Sequence, residues 1–297
     1  MPEGDSVFRA ASRVRVECVG RAVLDAETRG PGPSFGRLRG ATLDEIETHG
    51  KNLFFKFSSG VVVHVHLRMT GKLRVVEGTA AGGAFRARLF LGPREGAGSE
   101  AKGERTATLL FLGAPIVRLV TRSELVAIRA RLGADPLRGE ISEPEVVEKV
   151  LAYDGTLGEA LLVQRVMAGV GNIVKCEALF LAKADPFLSC ASCTEETAGR
   201  VVAKAVELLR ASVARRGGAP RDDDSAPFAA PFRMTRGRPD PYRAPSRRET
   251  TWVYGRSGEP CRTCATRIVA RPQGRPPRTT YYCPTCQADG ARATVAR

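Results

Sequence analysis

The sequence predicts an α+β chain of several domains: a β-sandwich, then a helical half, then a small cysteine module. Three observations predict it. Phe- and Val-rich segments broken by turn residues fill the region from Ala22 to Val120. From about Ser123 the apolar spacing becomes helical. Two Cys-x2-Cys pairs then close the chain. With 297 residues the chain is long enough for two or three domains.

The elements follow in order. A first helix carries an apolar face of Val7, Ala10, Ala11, Val14 and Cys18 and stops at Gly20, with Asp5 as its expected cap. Asn52–Phe57 and Val61–Leu67 read as a hairpin turning through Ser58-Ser59-Gly60. Thr106–Leu112 and Pro115–Val120 read as a second hairpin turning at Gly113-Ala114. Beyond them, Ser142 with Glu145 and Thr156 with Glu159 have capping-box spacing. Leu157–Met167 has apolar residues at helical period, and Gly169-Val170-Gly171-Asn172 interrupts it. Ile173–Ala184 resumes a helix that Asp185-Pro186 ends, and a longer one covers about Thr194–Arg215. The Pro-, Arg- and Gly-rich stretch 216–248 has almost no periodicity and reads as a flexible loop or linker. The expected domains are therefore 1–122, 123–215 and, after the 216–248 linker, 249–290.

Composition narrows the function. A 43% hydrophobic share is globular, and no apolar run is long enough to span a bilayer. No charged start leads into an apolar core, so a secretory signal is not expected and a cytoplasmic, reducing setting is. Lys and Arg number 46 against 32 acids, giving a net charge of +14. Such an excess suits a polyanion, because each neutralised phosphate releases counterions. No basic amphipathic helix with bulky apolar residues argues for a membrane surface instead.

Cys261-x2-Cys264 and Cys283-x2-Cys286, eighteen residues apart, match a four-cysteine zinc ribbon. Four thiolates close a tetrahedral shell, so one structural Zn is expected, without which so short a module has too little apolar area to fold. Cys190-x2-Cys193 has no second pair near it and reads as a turn beside a helix. Arg278-Thr279-Thr280-Tyr281-Tyr282 alternates as a hairpin strand, with Arg278 near the tip. Taken alone, Arg278 reads better as a solvated arginine, Lys51 as a solvated lysine, and Gly169–Asn172 as an ordinary turn between helices. His64 and His66 lie on one strand face and read as buried, hydrogen-bonded histidines rather than metal ligands.

The N-terminus carries the sharpest chemical signal. Loss of the initiator methionine would leave Pro2 with a secondary amine beside Glu3. An α-amino group titrates near pH ~8 against ~10.4 for lysine, so much more of it is nucleophilic at neutral pH. Attack on an aldehyde-level carbon gives an iminium ion, an electron sink for elimination, and Glu3 can move protons beside it.

Met1-Pro2-Glu3-Gly4, Gly50-Lys51, the segment LLVQRVMAGVGNIVKCEALF over Leu161–Phe180, and the finger WVYGRSGEPC…RTTYYCPTC together resemble the formamidopyrimidine-DNA glycosylase and endonuclease VIII family. The order and approximate spacing agree over nearly the whole chain. The resemblance implies an N-terminal helix with a β-sandwich, a helical domain with a helix–two-turn–helix motif, and a zinc finger. It implies a monomer acting on double-stranded DNA that contains damaged bases or abasic sites, in a bacterial cytoplasm and on the nucleoid through its DNA. By position, it makes Pro2 the nucleophile, Glu3 the proton shuttle and Lys51 a catalytic, phosphate-binding lysine. It makes Asn172 and Arg278 the pair that grips phosphates around a flipped nucleotide, and Arg131 a DNA contact at the domain junction. Arg68, Met69 and Thr70 fall where the family fills the void in the duplex.

There are departures. Asp5-Ser6 stands in place of the frequent Pro-Glu, Val163 in place of the acidic residue before Gln164, and Thr70 where some relatives carry tyrosine. Leu112-Gly113-Ala114-Pro115-Ile116 lacks a second wedge, which with the Pro-Glu-Gly start is more like the endonuclease VIII branch and its oxidised pyrimidines. The expected activity is a bifunctional glycosylase and abasic-site lyase of base-excision repair. The alternatives are an oxidised-purine glycosylase of the same fold and a non-catalytic zinc-finger protein that binds damaged DNA. A zinc-ribbon RNA binder would explain the charge and cysteines but not the N-terminus.

Overall fold

The computed structural model describes residues 3–30, 34–78, 83–94, 106–114, 116–139, 141–214 and 250–288. Pro2 and the expected linker 216–248 lie outside them. The chain divides into two compact units, Met1–Leu132 and Gly133–Arg297.

The first unit begins with α1 (Gly4–Cys18), whose face of Val7, Ala11, Val14 and Cys18 is buried. Asp5 is not its cap. The N-cap is Glu3, and Ser6 closes the first turn: its Oγ accepts from the Glu3 backbone N–H and donates to the Glu3 carbonyl, both at 2.9 Å. Asp5 lies inside the first turn, buried, and pairs with Arg9 one turn on at 3.0 Å. The Glu3 carboxylate completes the capping box by accepting from the Ser6 backbone N–H.

The strands are β1 (Arg21–Thr28), β2 (Leu43–His49), β3 (Asn52–Phe57), β4 (Val62–His66), β5 (Lys72–Glu77), β6 (Ala87–Arg94), β7 (Ala107–Leu112) and β8 (Ile116–Val120). They form two antiparallel sheets, β1-β6-β7-β5 and β2-β3-β4-β8. The expected β3–β4 hairpin is present, with Asn52 opposite His66 and Lys56 opposite Val62. The expected second hairpin is not. β7 lies in one sheet and β8 in the other, so the chain changes sheets at Gly113-Ala114. Phe55 on β3 meets Phe111 on β7 edge-on at 5.3 Å, so the inner faces share one core with α1. The other face of β3 is also covered. Phe54 clusters with Val62, Val120 and Leu125 of α2 (Arg122–Ala130). Arg129 of α2 adds an ion pair to Glu47 and lies 5.5 Å above the Phe54 ring. Thr121 and Glu124 cap α2 reciprocally.

The second unit holds α3 (Glu143–Leu151), α4 (Leu157–Ala160), α5 (Asn172–Leu181) and α6 (Glu195–Ala214). The expected box at Thr156 is in place, with Glu159 Oε2 accepting from Thr156 N at 3.0 Å, while at α3 the Ser142 half is present, its Oγ accepting from Glu145 N at 3.5 Å. The helix expected over Leu157–Met167 is only four residues long. Turns follow it, stapled by Gln164, whose amide donates to Leu162 and Val170 carbonyls and accepts from Gly169 N. α4, these turns and α5 make the helix–two-turn–helix. Cys190–Ser192 is a single 3₁₀ turn ahead of α6, as expected. A hairpin of β9 (Val269–Gln273) and β10 (Arg278–Tyr282) completes the unit. Among the described residues, no helix is long and apolar enough to cross a membrane.

Candidate nucleic-acid interface and metal centre

In the first unit four short stretches carry the expected site residues. Glu3 is the N-cap of α1 and is only 2% exposed. Lys51 occupies the two-residue turn Gly50-Lys51 between β2 and β3, closed by the His49–Asn52 pair. Gly50 there has φ 58°, a left-handed conformation that glycine adopts without strain. Asn52 braces the turn by donating from Nδ2 to the His49 carbonyl at 3.2 Å.

Behind Asn52 stands His64. Its Nε2 lies 2.9 Å from Asn52 Oδ1, and its Nδ1 accepts from Arg118 Nε at 3.2 Å. Its ring stacks on Phe54 at 5.0 Å. Burial, then the positive Arg118, lower its pKa to about 4, so it is a neutral imidazole with the hydrogen on Nε2. This matches the hydrogen-bonded histidine expected from sequence. His66 differs: it is half-buried, and its Nδ1 accepts the backbone N–H of Arg68 at 3.1 Å. Burial, Lys51 and Arg68 all push its pKa down, which places its ring beside both cations. The donor nitrogen left on neutral His66 is Nε2. Sequence reading missed this placement; the alternation His64-Val65-His66 was its only signal.

Arg68, Met69 and Thr70 form a tight loop after β4. Arg68 has φ 47° despite carrying a side chain. Thr70 Oγ1 donates to the Gly113 carbonyl at 3.0 Å, tying the loop to the sheet-crossing segment. Gly71 is required by contact, since a Cβ there would lie 2.5 Å from the Leu67 carbonyl oxygen. Met69 at the tip is 68% exposed, the second most exposed large apolar residue described. Arg131, exposed, follows α2 near the end of the first unit.

In the second unit α5 and the β9–β10 hairpin are locked together. Asn172, the first residue of α5, donates from Nδ2 to the Thr279 carbonyl at 2.8 Å. Thr279 follows Arg278, the exposed first residue of β10. Asn172 and Arg278 are thereby brought to one end of the hairpin. The buried Oδ1 of Asn172 has no protein partner among the described residues. The segment before the finger is fixed by Glu177. This buried carboxylate accepts from Trp252 N at 2.7 Å, Val253 N at 3.0 Å and Tyr254 N at 2.9 Å.

The four finger cysteines converge. The Sγ atoms of Cys261, Cys264, Cys283 and Cys286 lie within 4.8 Å of one another, with Cys264–Cys283 at 3.4 Å and Cys261–Cys286 at 3.9 Å. Metal–sulfur bonds of ~2.3 Å arranged tetrahedrally put sulfurs about 3.8 Å apart, so the set fits one ion. Gln287 ties this knuckle to α5's end, accepting from Cys283 N at 2.9 Å and donating to the Ala184 carbonyl at 3.0 Å.

Known proteins share these domains. Residues 1–105 match the formamidopyrimidine-DNA glycosylase N-terminal domain, and residues 132–223 match the formamidopyrimidine-DNA glycosylase H2TH domain. The chain is 33% identical to a probable endonuclease 8 2 of Streptomyces coelicolor, over 98% of this chain and 95% of that one. It is 34% identical to the DNA-(apurinic or apyrimidinic site) lyase Nei2 of Mycolicibacterium smegmatis, over 97% and 99%. The crystal structure of MutM (Fpg) from Thermus thermophilus superposes with a TM-score of 0.72 at 32% identity, covering 97% of this chain and all of that one. With the four-cysteine cluster and the helix–two-turn–helix in place, the chain belongs to the formamidopyrimidine-DNA glycosylase and endonuclease VIII family of base-excision repair.

Proposed function

We propose that this protein is a bifunctional DNA glycosylase and abasic-site lyase that removes oxidised pyrimidines from duplex DNA, with the Pro2 amine as nucleophile. The carrying observation is likeness along 97% of the chain to a protein named an abasic-site lyase, with Pro2 and Glu3 at its head. The amine forms a bond to C1′ as the glycosidic bond breaks and the base departs with a proton. Opening of the sugar ring leaves an iminium. Its positive nitrogen acidifies the neighbouring C2′ position, so loss of a proton there expels the 3′ phosphate and nicks the strand. Glu3 moves the protons.

A base inside a duplex is out of reach, and extruding it costs a few kcal/mol. Each unit offers groups that offset this cost. Lys51, Arg68 and the Nε2–H of His66 supply cationic and neutral donors to phosphate, and Met69 supplies an apolar wedge. Arg131 adds a charge near the end of the first unit. Arg278 offers a bidentate fork on the other unit, with Asn172 beside it. The finger ion is zinc in this reading, held by four thiolates with no open position, and so structural.

Pyrimidine preference is supported by the Gly113-Ala114 crossover, too short to carry a second wedge, and by the Pro-Glu-Gly start. The 32% identity to Thermus Fpg favours a second reading, an oxidised-purine glycosylase. Single-turnover rates on matched duplexes with dihydrouracil or oxidised guanine decide between them. Faster release of oxidised guanine, with cytosine preferred opposite, selects the second. Pro2 itself is tested by borohydride trapping on an abasic-site oligonucleotide. The crosslink should map to the N-terminal peptide, and a crosslink on an internal lysine would reject the assignment.

A further inference from the structure

α5 contains a lysine that the proposed chemistry leaves unused. Lys175 is 0% exposed, and so is Thr280 of β10. Lys175 Nζ donates to Thr280 Oγ1 at 2.6 Å, and Thr280 Oγ1 donates to Gln273 Oε1 at 2.7 Å. Gln273 Nε2 donates to Thr156 Oγ1 at 2.8 Å and to the Pro186 carbonyl at 2.7 Å. Thr156 Oγ1 donates in turn to Glu159 Oε2 at 2.6 Å. The donors along this line point the same way, from the buried Lys175 amine to Glu159. Hydrogen bonds aligned head to tail in a low-dielectric interior polarise one another.

The line runs between the parts that carry the candidate phosphate grip. One turn of α5 faces three consecutive residues of β10: Asn172 holds the Thr279 carbonyl, Lys175 holds Thr280, and Cys176 Sγ accepts the Tyr281 N–H at 3.4 Å. Residues i, i+3 and i+4 of a helix share one face, so this is a single docking stripe. Gln273, opposite Arg278 in the hairpin register, is held in the same chain. Close approach there is enforced at Gly158 of α4, where a Cβ would come within 2.4 Å of Gln273 Oε1. Slippage of the hairpin by one residue would turn Thr280 away from Lys175 and move Arg278 relative to Asn172.

We infer that Lys175, acting through Thr280 and Gln273, is a positioning residue that sets the hairpin register on which Arg278 and Asn172 grip one DNA phosphate. A lysine able to reach phosphate would add charge to the interface; this one is buried against a hydroxyl and acts on geometry. The inference rests on the proposed phosphate grip of Asn172 and Arg278.

The test is a double-mutant cycle on the full chain with its metal. The probe is a duplex containing a tetrahydrofuran abasic-site analogue. Lys175→Met keeps the length and apolar stem but removes the donor; Thr280→Val removes the hydroxyl at constant shape, and Thr280→Ser restores it. Arg278→Ala should weaken binding about tenfold, equal to about 1.4 kcal/mol. Lys175→Met should do nearly the same with metal content and helical circular dichroism unchanged. The double variant should bind only slightly more weakly than either single one, and its salt slope should match that of Arg278→Ala. Thr280→Val should behave as Lys175→Met, and Thr280→Ser as the parent. Additive losses in the double variant, or normal binding by Lys175→Met while Arg278→Ala binds poorly, overturn the inference alone. No loss in Arg278→Ala overturns the phosphate grip, and the inference with it.

Discussion

Glu177 should determine how firmly the finger stays folded against α5. Its two oxygens accept three backbone N–H groups: Oε1 those of Val253 and Tyr254, Oε2 that of Trp252. Burial, the largest influence, raises its pKa overall, with those three donors and Arg256 pulling the other way. The geometry calls for the anion, since both oxygens accept and neither has a carbonyl to donate to. Replacing Glu177 with Gln keeps shape and volume. One oxygen retains Val253 and Tyr254, but the amide nitrogen then faces the Trp252 N–H, donor against donor. A lost bond to a charged acceptor plus a buried orphan N–H costs about 2–3 kcal/mol. Glu177→Ala strands all three donors and leaves a hole, for about 3–5 kcal/mol. For a body of this size, each kcal/mol lowers Tm by about 2–4 °C, so Glu177→Gln should melt roughly 4–12 °C lower. The second readout is metal transfer to a coloured chelator. If release passes through finger undocking, it should quicken about 30- to 150-fold in Glu177→Gln, the same free energy as a ratio. Parent-like melting and parent-like metal release in Glu177→Gln would refute the anchoring argument.

Three further outcomes follow from the geometry. His64 titrates near 6.5 in an unfolded chain and about 4 here, so the unfolded chain takes its proton first as pH falls. Stability of the first unit should therefore drop between pH 6.5 and 4, by up to about 3 kcal/mol, and level off below. Denaturant melts should show that slope shrinking in His64→Gln; an unchanged slope removes His64 from the effect. Gly71→Ala puts a Cβ 2.5 Å from the Leu67 carbonyl oxygen, so the Met69 loop must open, at about 1–3 kcal/mol. It should lower lesion excision more than cleavage of a preformed abasic site, as should Met69→Ala, and equal losses on both substrates would argue against a wedge. Cys264→Ala opens the four-thiolate shell, and elemental analysis should find the ion lost and DNA binding reduced with it.

What the sequence reveals depends on how local the cause is. The Cys pairs, the Thr156 and Ser142 caps and the β3–β4 hairpin rest on residues a few positions apart, and each is found in place. The first helix cap fails at the same range. The helix starts two residues earlier than an Asp5 cap would require, with Glu3 as N-cap and Ser6 at N3, so Asp5 falls inside the first turn. The β7–β8 pairing fails because no local feature encodes it. Five of the six residues of β7 are buried, so its pattern does not say which sheet it joins, and Gly113 serves a crossover as well as a hairpin. The helix expected over Leu157–Met167 fails because its apolar periodicity records burial, while Gln164 binds the backbone of the turns in place of a helical ladder.

The candidate site divides along the same line. Arg278, Lys51 and Asn172 are indistinguishable in sequence from solvated residues or ordinary turns, and only their joint order across the chain singles them out. The supports beneath them carry still less signal. In α5 every residue from Asn172 to Phe180 is buried, including Lys175 and Glu177. A helix buried on all sides is ordinarily apolar throughout. This one instead carries Lys175 and Glu177 inside, because its second face docks onto the β9–β10 hairpin and the 252–254 segment, whose backbone and hydroxyl groups need polar partners. Those side chains belong to an interface with residues 75 to 105 positions away in the sequence. That separation makes Lys175 and Glu177 unreadable in advance.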